Sequence, residues 1–329
     1  MKTTTILFLL LFSFVSYSPG QLRHQGYPQV NVTVRVVGED KNPIAGVTAS
    51  FVFDEQYKYN AIVPLNGNTD ATGLITAQGY SAFGRFGANL KKDGYYLSGV
   101  ACPVFRDAKD GQWQPWGTTN TTILRKIENP VPVYAKKVRA DIPAVGKSCG
   151  YDLEAGDWMA PYGRGQTADF IITLTNREYE SRSVFDVGAT ITFSNPLDGI
   201  QEAHLPKEYA TSLFRWPRQA PDAGYQSLLT ARSAQFPEGG RKPIRTFNAG
   251  GTDQAYFFRV RTVEQNGKIV SVLYGKIDSG IAVDPIDSKT CGIFFTYYLN
   301  PVPLDRNMEF DLKRNLFANL PDDEQPRLP

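Results

Sequence analysis

Residues 256–274 read YFFRVRTVEQNGKIVSVLY. Two runs of alternating apolar and polar side chains, Tyr256–Val263 and Lys268–Tyr274, meet across Glu264-Gln265-Asn266-Gly267. A period of two is the strand period, and Asn-Gly accepts the left-handed backbone that a tight hairpin turn demands. The stretch therefore predicts an antiparallel hairpin. Working outward, the same alternation appears at Phe170, Ile172 and Leu174, and at Val187, Ala189, Ile191 and Phe193. Ile293–Leu299 (IFFTYYL) is a continuous apolar run suited to a strand buried on both faces.

The N-terminal part repeats the pattern. Val30, Val32, Val34 and Val36 alternate with polar residues, as do Val47, Ala49, Phe51 and Phe53. Polar turn signals separate the runs at 39–43, 66–73 and 91–94. Val133–Ala140 is a further candidate strand, and 105–132 reads as an excursion and linker. Helical periodicity is confined to two short candidates, Pro206–Leu213 and Ser227–Ala234. The expectation is an all-β protein: an Ig-like or transthyretin-like sandwich followed by a larger β-sandwich or jelly-roll-like domain.

The segment before these strands reads as a targeting signal. Lys2 precedes the apolar run Ile6–Val15, and Ser16, Ser18 and Gly20 are small residues suited to cleavage. The expected organisation is a signal peptide over 1–20, cleaved after Gly20, and an N-terminal tail over 21–29. The first sandwich with its linker then occupies 30–140, the second β-rich unit 141–317, and a flexible tail 318–329. No later segment is long and apolar enough for a membrane-spanning helix. The expected destination is the periplasm, cell surface or medium.

Composition narrows the chemistry. Lysine plus arginine number 35 against 33 acids in 329 residues, and this near-neutral balance gives no electrostatic reason to expect nucleic acid. Two histidines and three cysteines cannot build multi-histidine metal centres or a disulfide-dense scaffold. No metal or cofactor is expected. Of Cys102, Cys149 and Cys291, the pair Cys149–Cys291 is the most plausible disulfide; three buried, inert thiols are the alternative.

Three strings, VNVTVRVVGEDKNPIAGVTASFVF, TDATGLIT and KKDGYYLSG, carry a resemblance. Together they resemble the carboxypeptidase regulatory-like family over about residues 30–101. The resemblance implies a small transthyretin-like or Ig-like sandwich that is usually a non-catalytic appendage. In the second unit, GYDLEAGDWMAPYGRGQTADFIITL, QAPDAGYQ and YYLNPVPLDRNMEFD resemble an uncharacterised family of exported bacterial β-rich proteins. That resemblance implies no activity.

The residues that chemistry would need are sparse. His24 lies near the terminus and His204 beside a turn, and no G-x-S-x-G elbow is present. Asn66, Asn68 and Asp70 alternate as calcium ligands do, but Ala71 stands where a calcium loop needs glycine, so a hairpin turn is expected. Asp152, Glu154 and Asp157 read as solvated loop charge. Asn31 and Asn120 begin glycosylation sequons, relevant only in a host with that machinery. Trp113 and Trp116, three residues apart in a loop, are the candidate ligand-binding residues, because exposed indoles give flat, low-entropy contact surfaces. The competing reading makes them plugs of a sandwich core. The sequence thus points to an exported, non-catalytic binding or structural protein, with a glycan or another cell-envelope protein as partner. The alternative is a carbohydrate-active enzyme using carboxylates alone on the second unit.

Overall fold

The computed structural model describes residues 27–53, 65–102, 105–235, 255–287 and 289–329. The expected signal peptide, its cleavage site at Gly20 and His24 lie outside the described residues. Among those described there is no α-helix, and no helix is long and apolar enough to cross a membrane. The strands of the first half are β1 (Gln29–Val37), β2 (Thr48–Phe53), β3 (Leu65–Asn68), β4 (Leu74–Tyr80), β5 (Phe86–Lys91), β6 (Ser98–Gly99), β7 (Asp107–Lys109), β8 (Gln112–Gln114) and β9 (Thr118–Ile123). Then come β10 (Val131–Asp141), β11 (Ser148–Asp152), β12 (Asp157–Trp158), β13 (Phe170–Ser181), β14 (Val184–Thr192) and β15 (Gly199–Glu202). The chain finishes with β16 (Leu228–Gln235), β17 (Ala255–Gln265), β18 (Lys268–Pro285), β19 (Cys291–Asn300) and β20 (Phe310–Asn315).

The protein is all-β, a smaller sandwich followed by a larger one. In the first, β1 pairs antiparallel with β4 and parallel with β9, with the β7–β8 hairpin at its N-terminal end. The facing sheet runs β3-β2-β5-β6. Val30, Val32, Val34 and Val36 all point into the space between the sheets and are fully buried against Phe51, Phe53 and Leu90. Each such side chain contributes roughly 1.5–3 kcal/mol on leaving water. Strand β9 falls within 105–132, so this stretch supplies sheet as well as connection.

In the larger sandwich, the sheet β12-β11-β13-β14-β16 faces β15-β17-β18-β19-β10-β20. The aromatic side chains of Phe170, Phe258, Phe295 and Tyr297 interlock at its centre. The hairpin forms where Asn266-Gly267 predicts it: Gln265 pairs with Lys268, and both turn residues have positive φ, 51° and 73°. Ser227–Ala234 is not helical; eight residues, Leu228–Gln235, pair as β16 against β14. Within Pro206–Leu213 only a single 3₁₀ turn forms, at Lys207–Tyr209. The C-terminal residues, expected to be loose, lie along β10 and β19. Lys137 N donates to Glu324 O at 2.7 Å, and Tyr298 Oη donates to Leu328 O at 2.9 Å.

The TDATG turn shows how local chemistry sets the first sandwich. Asp70 Oδ1 accepts from Thr72 N (2.8 Å), Thr72 Oγ1 (2.7 Å) and Leu74 N (3.0 Å). Asn66 Oδ1 accepts from Ser50 Oγ across the strands. The Asp70 carboxylate thus closes a tight turn, but the expected hairpin does not form: the turn carries the chain from β3 in one sheet to β4 in the facing sheet. Gly73 has φ +74°, and an added Cβ would lie 2.5 Å from Val36 O. Gly111 has the same φ but open space around it. Gly73→Ala should therefore cost about 3 kcal/mol, and Gly111→Ala only about 1 kcal/mol. Urea denaturation of the two variants checks this, and equal losses would show that the clash with Val36 is not felt.

Candidate functional site

The β7–β8 hairpin presents Trp113 on β8. Its Nε1 donates to Ser81 O at 2.9 Å, and its ring lies against Gly84, whose missing Cβ would sit 3.0 Å from Trp113 Cε3. Gly84 has φ +62°, so backbone freedom and close approach both require glycine there. Ser81 Oγ accepts from Arg85 N at 2.7 Å, closing the 81–85 turn over the indole. Trp113 is half-buried and packs on the first core beside Phe105. Trp116 is also half-buried; its main-chain N–H donates to Gln114 Oε1 across the cis Gln114–Pro115 bond. Phe83, at the tip of the turn that Trp113 supports, is 73% exposed. The aromatic side chain that faces solvent here is thus one that the tryptophan spacing did not signal; a phenylalanine inside the glycine turn SAFGR was the available hint. Trp158 and Trp216 are core residues, packed edge-on against Tyr151 and Phe257.

The structure contains no disulfide between Cys149 and Cys291. Cys149 on β11 and Cys291 on β19 belong to opposite sheets, and each sulfur turns to a main-chain oxygen, Lys147 O (3.7 Å) and Gly292 O (3.9 Å). Burial pushes Cys291 up to about 11 and raises Cys149 as well, which keeps both as unreactive thiols. Cys102 is exposed.

Two of the three acids expected to be solvated instead close a knot, with Asp169 as a third member. Asp152 Oδ1 accepts from Glu154 N and Ala155 N, and its Oδ2 from Gln166 N and Thr167 N. Into this loop projects Arg261, which has φ +56° at a bulge in β17. Its Nε and Nη2 donate to Asp169 (2.8 and 2.9 Å), Nη1 to Glu154 Oε2 (2.5 Å) and Nη2 to Asp152 Oδ1 (3.1 Å). Burial raises Asp169 despite these bonds, whereas for Asp152 the backbone donors and Arg261 outweigh burial and lower it. Asp157 caps locally, accepting from Trp158 N and Arg164 N. These carboxylates face a guanidinium and the main chain. Among the described residues no group of three or more His, Cys, Asp or Glu side chains is placed to hold a metal ion. His204 is exposed.

The densest polar cluster lies between the sandwiches. Arg125, just past β9, is 2% exposed. Its Nε donates to Glu39 Oε1 (2.9 Å) and its Nη1 to the carbonyls of Phe214 (3.0 Å) and Trp216 (2.6 Å). Its guanidinium stacks on Tyr209 and Phe214, 4.2 and 4.6 Å from the ring centroids. From the second half, Arg218 Nη2 donates to Glu39 Oε2 (2.7 Å) and to Lys126 O (2.7 Å), and Nη1 lies 3.2 Å from Glu309 Oε2. Glu309, buried, accepts from Tyr96 Oη (2.7 Å), Glu128 N and Asn129 N. Burial would raise Glu39, but Arg218 and Arg125 outweigh it and hold its carboxyl below the usual range. Main chain joins as well: Gly99 N donates to Thr211 O (2.8 Å) and Leu213 N to Leu97 O (2.9 Å). Residues 211–213 thereby extend the sheet of β6.

Comparison with models of protein families gives no match, and comparison with curated proteins gives none. Among solved structures, the chain is similar to the shaft pilin spaA of Lactobacillus rhamnosus GG, with 12% identity, TM-score 0.20, 53% of this chain and 90% of that chain. It is similar to a streptococcal ancillary pilin, with 13% identity, TM-score 0.20, 74% of this chain and 57% of that one. It is also similar to BcpA, the major pilin subunit of Bacillus cereus, with 12% identity, TM-score 0.21, 81% and 95%. Likenesses this low transfer no role to this chain.

The knot makes a direct prediction. Arg261→Ala leaves Asp169 buried without its cation and should cost about 3 kcal/mol at pH 7. In that variant the raised carboxyl is neutralised as pH falls, so the deficit against wild type should shrink between pH 7 and 5. Denaturation midpoints at both pH values test this; a deficit independent of pH would mean that Asp169 carries no net charge cost.

Proposed function

We propose that the chain is an exported, non-catalytic binding or structural protein of the cell envelope. Its first sandwich is a carboxypeptidase regulatory-like module, with the unit boundary before β10 and not at the expected 140/141, because β10 pairs with β19 and β20 of the larger sandwich. The contact surface is the aromatic turn region of that module: exposed Phe83, carried by the 81–85 turn over Trp113, together with Trp116. The ligand class is a glycan, recognised by ring stacking on flat aromatic faces, or an envelope protein bearing such sugars. The observation that supports this reading is the way Trp113 is used. Its indole is tied to Ser81 and seated on Gly84, so it stiffens a turn whose tip carries a large apolar side chain into solvent. A rigid, pre-shaped apolar tip lowers the ordering cost of binding.

A glycan array and a pull-down from envelope material, using the full chain and its Phe83→Ala and Trp116→Ala variants, test this. Loss of binding by roughly tenfold or more in a variant that keeps the wild-type melting temperature is the expected result. Trp113→Ala should weaken binding and stability together, because it removes the support of the turn. Absence of glycan binding, or binding indifferent to all three substitutions, contradicts the proposal.

A further inference from the structure

Lys276 on β18 is fully buried, with 0% exposure. Its ammonium donates one hydrogen bond, to Met308 O at 2.8 Å. The walls around it are aromatic: the centroids of Tyr298, Phe214 and Trp216 lie 4.8, 5.2 and 5.2 Å from Nζ. Two of these walls belong to the segment 211–216, which has the first sandwich on its other side. There Arg125 binds the carbonyls of Phe214 and Trp216, Tyr96 packs on the Phe214 ring at 5.2 Å, and the strand pairing through Ser98 and Ser212 holds the segment down. The first sandwich thus presses a lid over Lys276.

Charge makes this enclosure selective. On its own strand the lysine meets Asp278, which pairs with Arg215 at 3.3 Å. From the segment after β9 comes Arg125, and from the loop before β20 comes Glu309, itself held by Arg218 and Tyr96. Glu39 bridges Arg125 and Arg218. Without Lys276 the joint holds three guanidinium groups (Arg125, Arg215, Arg218) against three carboxylates (Glu39, Asp278, Glu309). Glu128 also reaches Arg218 but is half exposed and screened by water. A protonated lysine would add one positive charge to a balanced, largely buried cluster. Facing aromatic rings offset part of that cost. The Phe214 ring, however, also serves Arg125 and Arg218. Withdrawing an ammonium ion from water into such a site is costly.

We propose that the joint between the sandwiches is a proton-linked clamp: seating the 211–216 lid over Lys276 releases the proton of its ammonium, so the clamp tightens as the surroundings turn alkaline. The proton leaves to solvent, and the neutral amine keeps its bond to Met308 O. Burial pushes the enclosed lysine down to about 7, while a solvated lysine titrates near 10.4. Between these limits the open form holds one more proton than the closed form. Opening therefore becomes up to tenfold rarer for each unit rise in pH. Below about pH 7 both forms are protonated and this dependence ends.

Hydrogen exchange of the full chain, read on peptides covering 96–100 and 211–216 and corrected for intrinsic rates, measures the opening. The wild type should show opening at least tenfold rarer at pH 9.5 than at pH 7.5, with little change between pH 6.5 and 5.5. Lys276→Met should abolish the slope and lower opening at pH 7. An unchanged slope in the variant, or no slope in the wild type, overturns the proposal. Should Lys276→Met fail to fold, NMR titration of the wild-type lysine side chains decides: a resonance with its midpoint between about 6 and 8.5 supports the clamp, and midpoints all above about 8.5 overturn it.

Discussion

Arg125 is the point on which the two halves depend. One guanidinium binds a carboxylate of the first sandwich, two carbonyls of the second half and two aromatic faces at once. Its planar, fork-shaped set of donors suits several fixed acceptors in a way that a lysine could not match. Glu39 passes the connection to Arg218, and Arg218 passes it to Glu309 and Tyr96. The consequence is orientation: each sandwich has its own apolar core, yet the polar joint leaves them one mutual arrangement.

The energies divide accordingly. Stability comes chiefly from the cores, where side chains such as Val30, Phe51, Ile172 and Tyr297 are withdrawn from water. Buried ion clusters roughly break even against desolvation, so the joint and the Arg261 knot stabilise little in net terms. What they supply is specificity, because any other docking would strand charges away from partners. The same holds within the larger sandwich, where Arg261 occupies a bulge with left-handed backbone, its side chain met by three carboxylates and its main chain held by Asp198.

Much of the architecture was legible because strand period and turn chemistry are local. Val30–Val36, Phe170–Leu174 and the Asn266-Gly267 hairpin state their conformation within a few residues. Residues 228–235 misled because LLTARSAQ holds good helix formers, and pairing with β14 overrides that preference. Strand β9 was hidden because TTNTTI shows almost no apolar alternation; its parallel partner β1 supplies the order. The polar sites were hidden for a different reason. Arg125 and Glu39 lie 86 residues apart, Arg218 and Glu39 179 apart, and Arg261 and Asp152 109 apart. No spacing rule spans such distances. Asp152 and Glu154 look like surface charge until the fold brings a guanidinium to them. Trp113 and Trp116 were visible as a pair, but which aromatic faces solvent depends on how the 81–85 turn lies on Trp113.

A single cooperative body is the central claim, and equilibrium unfolding of the full chain tests it most directly. Trp113 reports on the first core, Trp158 on the second and Trp216 on the joint, so tryptophan fluorescence and far-ultraviolet circular dichroism sample the whole molecule. The two signals are expected to trace one coincident transition. Two separated transitions in the wild-type chain, with one sandwich melting while the other stays folded, would contradict the account.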